Sequence, residues 1–276
     1  MSHVGNRMAV RFKALQQQSR TALIPFVTAG DPEPGATVAI MKTMVAAGAD
    51  IIELGIPFSD PMAEGPVIQR ASERALEHHV SLRDVLQMVS EFRQFDADTP
   101  VVLMGYLNPV EVMGYQVFAD EASEAGADGV ITVDLPPEEG LDYVAALRAR
   151  HLDPIFLVAP TSTDARMATI CEQAGGFVYY VSLKGVTGAA SLDVAVVADK
   201  VAQIRRHTDM PIGVGFGIKD AATAAQVALL ADAVVIGSAL VQRVEDHGRD
   251  QKKLMVEITA FLGGIRSAMD AARAKA

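Results

Sequence analysis

Two glutamates and an aspartate lie close together in a stretch of chain that could do acid–base chemistry. Glu53 stands inside an apolar run over residues 51–56, while Asp60 and Glu64 follow in a proline-stiffened loop. A carboxylate inside an apolar strand is costly unless it is paired, neutralised or used. One carboxylate on a strand and another on its loop can act on two different protons of one substrate. The alternative interpretation is that Glu53 is a satisfied interior carboxylate and the other two are solvated loop acids.

Glycine-rich segments near the end of the chain suggest a phosphate site. The segments G-V-G-F-G-I at 213–218 and V-I-G-S-A-L at 235–240 each end an apolar run. Glycines allow close backbone approach, and a helix starting at Ser238 would attract an anion to its N-terminus. The segment Val186–Leu192 is rich in Gly, Ala and Ser, which is compatible with a mobile lid or with an ordinary loop.

Other catalytic chemistries find few suitable residues. A metal-dependent aldolase needs histidines at strand ends, and the six histidines all fall elsewhere: His3, His78, His79, His151, His207 and His247. Cys171 lies in a helical pattern, which argues against a thiol nucleophile. Lys184 is the one candidate for a Schiff base. Carboxylate acid–base chemistry on a small phosphorylated molecule remains the favoured interpretation.

The composition sets limits on the class of protein. The 276 residues are 50% hydrophobic and carry a net charge of -10, which is typical of a folded chain and argues against nucleic-acid or anionic-membrane binding. The single cysteine suits a reducing cytosol. We find no targeting segment and no apolar stretch long enough to span a membrane. These features predict a cytoplasmic protein.

Eight short apolar runs alternate with amphipathic segments and predict the elements that position these residues. Most runs are continuous rather than alternating, which indicates parallel strands buried on both faces. They are Ala22–Thr28, Asp50–Gly55, Val101–Tyr106, Gly129–Asp134, Pro154–Ala159, Phe177–Ser182, Pro211–Phe216 and Ala233–Gly237. Helices are predicted over Ala36–Ala47, from the Ser81 cap to about Phe95, and over Leu192–Arg206 and Ala221–Ala231.

The number and spacing of these units predict an α/β fold, a (β/α)8 TIM barrel. Strand starts recur about every 25–35 residues, with one wider gap before the third. We expect an extra N-terminal helix over Met1–Gln18 and an extended helical C-terminus over Asp250–Lys275. A doubly wound sheet is the rival, but the first strand lacks its glycine fingerprint. No linker divides the chain, so we predict a single TIM-barrel domain over residues 1–276.

The motifs at the predicted strand ends resemble those of the tryptophan synthase alpha chain family. The run E-L-G-I-P-F-S-D-P-M-A-E-G at 53–65 carries the most specific resemblance. It is joined in the same order by P-F-V-T-A-G-D-P at 25–32, L-M-G-Y-L-N-P at 103–109, V-D-L-P-P-E-E at 133–139, Y-Y-V-S-L-K-G-V-T-G at 179–188, G-F-G-I at 215–218 and I-G-S-A at 236–239.

This resemblance implies a lyase of L-tryptophan biosynthesis that cleaves indole-3-glycerol phosphate to indole and glyceraldehyde 3-phosphate by a retro-aldol reaction. Glu53 matches the family's proton-shuttling acid. Glu64 matches the acid that accepts the indole N–H, although M-A-E-G replaces the commoner A-D-G here. Tyr179 matches a hydroxyl near Glu53. Leu183 stands where some relatives have an arginine in the lid.

The resemblance also assigns binding residues and a partner. It implies an indole slot with Phe26 and Phe216, a lid contact from Thr187, and phosphate-binding loops with Gly188, Gly217, Gly237 and Ser238. Asp60, Asn108 and Pro136 match the family's partner face. The implied partner is a beta chain that holds pyridoxal phosphate, in a tetramer of two alpha and two beta chains, and no cofactor or metal is implied for this chain.

Two alternatives remain open from the sequence. The first is a lysine aldolase that forms a Schiff base on a sugar phosphate through Lys184. The second is a catalytically weak barrel that only binds and activates a beta chain, which would follow if Glu64 had disabled the chemistry.

Overall fold

The computed structural model describes residues 7–182, 193–215 and 217–275. All strand pairs in this part of the chain are parallel. The strands are β1 Ala22–Thr28, β2 Ile52–Gly55, β3 Val101–Gly105, β4 Gly129–Thr132, β5 Asp153–Ile155, β6 Leu157–Val158, β7 Val178–Val181, β8 Ile212–Gly215 and β9 Ala233–Ile236.

The sheet closes into the predicted barrel. Hydrogen bonds link the strands in the order β5-β4-β3-β2-β1-β9-β8-β7-β6. The two ends of this order, β5 and β6, are consecutive in the chain and separated only by Phe156. The fifth predicted strand, Pro154–Ala159, is therefore divided: its first half pairs with β4 and its second half with β7. The eight predicted runs become nine strands because this one turns from one neighbour to the other at Phe156.

Helices surround the barrel and account for the irregular spacing of the strands. They are α1 Arg7–Gln17, α2 Thr37–Ala46, α3 Pro66–Glu77, α4 Leu82–Arg93, α5 Leu107–Met113, α6 Tyr115–Ala125, α7 Leu141–Ala149, α8 Asp164–Gln173, α9 Val194–Arg205, α10 Ala221–Ala228, α11 Ser238–His247 and α12 Gln251–Arg273. The wide gap before β3 holds two helices, α3 and α4. The predicted extra helices at the two ends of the chain are confirmed as α1 and α12, while residues 1–6 of the first prediction lie outside the described residues.

Local sequence signals set the helix ends. Ser81 caps α4 in a capping box, in which the Ser81 hydroxyl accepts from the Asp84 N–H and the Asp84 carboxylate accepts from the Ser81 N–H. Asp250 caps α12 in a similar way by accepting from the Lys253 N–H. Helix α2 ends just before Gly48, whose φ of +103° favours glycine. None of the helices in the described ranges is long and apolar enough to cross a membrane.

The barrel interior is a packed core that α1 closes at the amino end. Alternate residues of the strands form one buried cluster together with Met8, Phe12 and Leu15 of α1. On β1 these interior positions are Ala22 and Ile24. Because strand side chains alternate, Phe26 and Thr28 continue the same face toward the carboxyl end. Core side chains and α1 therefore fill the amino end of the barrel, and the open end lies at the carboxyl ends of the strands.

Aspartates at the amino end tie neighbouring strands together. Asp50, Asp128 and Asp232 each precede a strand, and each accepts a hydrogen bond from the N–H of a residue at or near the start of the adjacent strand, at 2.8–2.9 Å. Each also pairs with arginine; Asp128, for example, contacts Arg7 at 3.0 Å and Arg93 at 2.8 Å. This end of the barrel is therefore built for stability.

Candidate active site

Glu53 lies on the interior face of β2 toward the carboxyl end of the barrel. The parallel register places it beside Phe26 of β1 and Val102 of β3. The residue two positions earlier on the same face, Ile51, belongs to the barrel core. Because side chains alternate along a strand and all four residues of β2 are buried, the Glu53 carboxyl group faces the barrel interior.

The environment of Glu53 favours a protonated carboxyl group. Its side chain is 1% exposed, and its Oε2 atom is buried with no hydrogen-bond partner in the described part of the chain. Burial raises the pKa of Glu53 to about 8, and the negative charge of Glu64 adds to the effect. The interpretation as a fully satisfied interior carboxylate therefore does not fit. Near neutral pH this group can both give and take a proton.

Tyr179 contributes a hydroxyl group that is close enough to Glu53 and Glu64 to be influenced by their charges. It lies on the interior face of β7 and is buried. Burial, followed by the charges of Glu53 and Glu64, raises the pKa of Tyr179 well above its usual value, so the phenol stays protonated. A Cβ atom on Gly215 of β8 would lie 2.3 Å from the Tyr179 hydroxyl oxygen. The glycine therefore leaves the space through which the tyrosine reaches the site.

Glu64 comes from the loop after β2 and is half-buried at the mouth of the barrel. Burial raises the pKa of Glu64 to about 7. The electrostatic coupling of Glu64 to both Glu53 and Tyr179 indicates that the three groups share one site. Asp60 of the same loop is exposed and accepts a hydrogen bond from the Ser59 hydroxyl at 2.5 Å. In this loop Glu64 is therefore half-buried at the site, whereas Asp60 is exposed to solvent.

Tyr106 anchors this loop, and sequence reasoning missed it. The Tyr106 hydroxyl accepts a hydrogen bond from the Ala63 N–H at 2.9 Å, next to Glu64. Its ring stacks on Phe58 with centroids 5.1 Å apart. The Gln69 side-chain amide donates to the Glu64 carbonyl at 2.9 Å. The available signal was the alternation Val102, Met104, Tyr106, which continues the interior face of β3 one residue past its end.

An apolar slot lies beside the acids. Phe26 packs in a buried cluster with Ile68, Ala71 and Val241, and Met104 packs against this cluster from β3. The Phe26 ring also lies over Gly55, where a Cβ atom would approach it within 2.6 Å. The predicted slot residue Phe26 therefore forms a flat apolar wall on the same interior face as Glu53.

The predicted phosphate loops are partly described. Ser238 is the first residue of α11, as predicted, and Gly237 precedes it at the carboxyl end of β9. Gly237 lies near Phe26 and Ile68: a Cβ atom there would be 3.8–3.9 Å from their side chains. Gly217 follows β8 with a φ of +76°, a conformation that favours glycine. The N-terminus of α11 therefore opens next to the apolar slot.

Several predicted residues lie outside the described ranges. They are Phe216 of the slot, Thr187 and Gly188 of the lid, and Leu183 and Lys184. Their positions relative to Glu53 remain predictions.

The predicted partner residues lie around the mouth of the barrel. Asp60 and Asn108 are exposed, and Pro136 is half-buried. Two large apolar side chains are exposed near them in sequence: Met62 at 79% and Val112 at 81%. No group of three or more His, Cys, Asp or Glu side chains within the described ranges is placed to hold a metal ion.

The fold is a parallel (β/α)8 barrel. Its site combines two carboxyl groups of raised pKa and a buried tyrosine with an apolar slot and a helix N-terminus. This combination defines an acid–base enzyme for a small anionic aromatic substrate. The family model described as tryptophan synthase alpha chain matches residues 12–270. The tryptophan synthase alpha chain of Thioalkalivibrio sulfidiphilus is 64% identical over 265 residues, which cover 96% of this chain and all of the relative. That of Marinobacter nauticus is 61% identical and covers 94% and 96% of the two chains.

Solved structures agree with this match. Tryptophan synthase subunit alpha from Legionella pneumophila superposes with a TM-score of 0.91 at 45% identity, covering 96% of this chain and 99% of that one. A chain of Mycobacterium tuberculosis tryptophan synthase superposes with a TM-score of 0.86 at 39% identity, covering 95% and 98%. The chain belongs to the tryptophan synthase alpha chain family.

This membership confirms the activity predicted from the sequence. The chain is a lyase of tryptophan biosynthesis that cleaves indole-3-glycerol phosphate. The lysine-aldolase and binding-only alternatives are not favoured, and the family name implies a beta-chain partner.

Proposed function

We propose that Glu53 carries the central proton transfer of the lyase reaction. The carbon–carbon bond breaks when indole carbon 3 gains a proton and the hydroxyl of the glycerol chain loses one. A carboxyl group whose pKa is raised to about 8 is mostly protonated at neutral pH, so it can give this proton and take it back. The observation that carries this role is the buried Oε2 atom of Glu53, which has no partner among the described residues.

Glu64 is the second acid and accepts the indole N–H in this proposal. Its raised pKa falls when a ring N–H donates to it, because that hydrogen bond favours the charged form. The resulting carboxylate polarises the N–H bond and raises the electron density on the indole nitrogen, which is delocalised onto indole carbon 3 and makes that carbon a better proton acceptor. Glu64 is one methylene longer than an aspartate, so its position depends on the loop that carries it.

Tyr179 and the surrounding loops bind and orient the substrate. The Tyr179 phenol stays protonated and donates toward the reacting side chain near Glu53. Phe26, together with Phe216, holds the indole ring. Gly217, Gly237 and Ser238 hold the phosphate through backbone N–H groups and the N-terminus of α11, with Gly188 from the lid. Thr187 contacts Glu64 when the lid closes.

The test is an assay of indole-3-glycerol phosphate cleavage by the isolated chain and by Glu53→Gln and Glu64→Asp. We expect Glu53→Gln to lower kcat by about a hundredfold or more, because loss of a general acid–base group typically costs 10²–10⁴-fold. Glu64→Asp should retain more activity, since it keeps the charge and shifts it by one methylene. An unchanged rate in Glu53→Gln would refute the proposed role.

The chain works in this proposal as one domain over residues 1–276 and in the cytoplasm. It holds no cofactor of its own, and pyridoxal phosphate belongs to the beta chain. Two alpha and two beta chains form the assembly, with Asp60, Asn108 and Pro136 at the contact. Neither nucleic acid nor membrane takes part. The exposed apolar residues Met62 and Val112 support a partner at this face.

A further inference from the structure

A cavity lies at the amino end of the barrel, at the opposite end from Glu53 and Glu64. We call it the amino-end cavity, and its volume is about 510 Å³. Its walls come from one face of α1, from the turns that lead into β7, β8 and β9, and from the last residues of α9 and α12. A volume of this size is in the range of small-molecule sites.

The side chains that line this cavity include more cations than acids, although the whole chain carries a net charge of -10. Four cationic side chains face two acidic ones. The cations are Lys13, Arg20, Arg205 and Arg273, and the acids are Asp209 and Asp232. A local excess of cations on an acidic protein indicates that the cavity suits an anion.

Two of the four cations are already neutralised. Arg20 makes two hydrogen bonds to Asp270 at 3.1 and 3.2 Å, and Arg205 pairs with Asp232. Lys13 and Arg273 form no ion pair with any residue that the structure describes, and the same holds for the lining acid Asp209, so the unpaired groups of the lining carry a net charge of +1. The Nε atom of Arg273 is also buried without a hydrogen-bond partner. A buried donor without an acceptor costs free energy, so an anionic group that reached Arg273 would relieve that cost.

The remaining wall is apolar and held in place. Phe12, Leu15 and Pro211 contribute it, and the first two are almost fully buried. The Phe12 ring rests against Phe177 in the barrel core, with centroids 6.0 Å apart. A flat apolar wall beside two unpaired cations fits a molecule with an aromatic body and one anionic group.

We propose that the amino-end cavity binds a small aromatic carboxylate, with its carboxylate on Arg273 and Lys13 and its ring against Phe12. This binding site is separate from the lyase site, because the two lie at opposite ends of the barrel.

The test measures binding of 2-naphthoate to the purified full chain by isothermal titration calorimetry. We expect saturable binding that Arg273→Met and Lys13→Met each weaken by about tenfold, since a charge-assisted hydrogen bond in a partly exposed site is worth roughly one factor of ten. Arg249→Met is the matched control: Arg249 is an exposed arginine just before α12, whose other end carries Arg273. That variant should bind 2-naphthoate as the wild type does.

Two further probes test the chemical class. The neutral isostere 2-naphthamide should bind at least tenfold more weakly, and inorganic phosphate, which lacks the ring, should not compete at equal concentration. The proposal is overturned if 2-naphthoate does not bind at millimolar concentration. It is also overturned if Arg273→Met and Lys13→Met both bind as tightly as Arg249→Met, because the carboxylate would then lie elsewhere, including in the apolar slot beside Glu53.

Discussion

At the scale of single residues, the fold tolerates an unfavourable group where the chemistry needs it. Glu53 is the one acidic residue of β2, and both of its strand neighbours at that level, Phe26 and Val102, are apolar. No cation in the described part of the chain pairs with it, so desolvation decides its protonation. A carboxyl group that is kept neutral by burial can donate a proton at neutral pH, whereas an exposed one cannot.

Replacement of Glu53 by Gln should therefore remove a pH-dependent loss of stability. The pKa of Glu53 is about 8 in the folded chain against 4.5 for the ordinary group, so the folded state binds more protons between these values. The contribution of protonated Glu53 to the free energy of unfolding is fully present below about pH 4.5 and is lost as pH rises through 8. Relative to wild type, Glu53→Gln should gain a few kcal/mol in free energy of unfolding between pH 5 and pH 9, at roughly 1.4 kcal/mol per pKa unit.

Urea unfolding at a series of pH values measures this difference. Glu77→Gln, at an exposed position on α3, serves as the control and should follow wild type at every pH. If the free energy of unfolding of Glu53→Gln differed from that of wild type by the same amount at every pH, the Glu53 carboxyl would not be held neutral by burial.

At the scale of elements, strands and loops set the distances between the groups of the site. Glu53 and Tyr179 are fixed because each lies on a strand of the closed barrel. Glu64 depends on a loop whose geometry is held by Tyr106, Phe58 and Gln69. The rigid and the adjustable halves of the site therefore come from different kinds of element.

Gly215→Ala should disturb the rigid half. The new methyl group would lie 2.3 Å from the Tyr179 hydroxyl, so the tyrosine ring must shift within a packed interior. We expect a stability loss of about 1–3 kcal/mol from overpacking. We also expect a fall in kcat of about a hundredfold, since a displacement of about 1 Å can cost that much. Thermal unfolding and the cleavage assay measure the two effects.

Gly263→Ala is the matched control, because a Cβ atom at this position in α12 meets no atom within 4 Å. It should leave kcat unchanged and slightly raise stability. If Gly215→Ala retained full activity, the Tyr179 hydroxyl would not need its present position for the reaction.

Tyr106→Phe should disturb the adjustable half. The variant keeps the ring and its stack on Phe58 but loses the acceptor for the Ala63 N–H. Because Ala63 is exposed, water can replace that hydrogen bond, so we expect a stability loss of only about 0.5–1.5 kcal/mol. Looser placement of Glu64 should lower kcat by about tenfold in the cleavage assay. Tyr115→Phe, at a half-buried tyrosine whose hydroxyl pairs with Glu111, should have wild-type kcat; equal rates for both variants would remove Tyr106 from the site.

At the scale of the whole molecule, stability and chemistry occupy opposite ends of one barrel. The amino end holds α1, the three strand-linking aspartates and their arginines, while the carboxyl end holds the acids and the slot. This separation means that the amino end can be weakened without direct effect on the reacting groups.

Asp128→Ala tests that separation. The substitution leaves two arginines, Arg7 and Arg93, and the Val101 N–H without their acceptor, so we expect a loss of about 3–5 kcal/mol in the free energy of unfolding. At a temperature where the variant is folded, kcat should stay within about twofold of wild type. Asp120→Ala breaks an exposed pair with Arg150 and should cost less than about 1 kcal/mol. A similar cost for both variants would contradict the role given to the amino end.

Periodicity and local signals were sufficient for much of the fold. The apolar runs predicted the strands because a strand that is buried on both faces appears in the sequence as a continuous apolar run. The Ser81 capping box was predictable because it joins residues only three positions apart. The division of the fifth run at Phe156 was not predictable, because it arises where one strand must pair with two diverging neighbours.

The sequence by itself determined that a carboxylate would stand inside the second strand, that glycines would lie at the ends of the last two strands with Ser238 starting a helix, and that the chain resembles a lyase family. These are properties of residue type and order. Only the tertiary structure decided that Glu53 has a buried oxygen without a partner, that Gly215 makes room for Tyr179, and that Tyr106 holds the loop of Glu64. Each of these depends on atoms from segments far apart in the chain, whose distances are set by closure of the barrel.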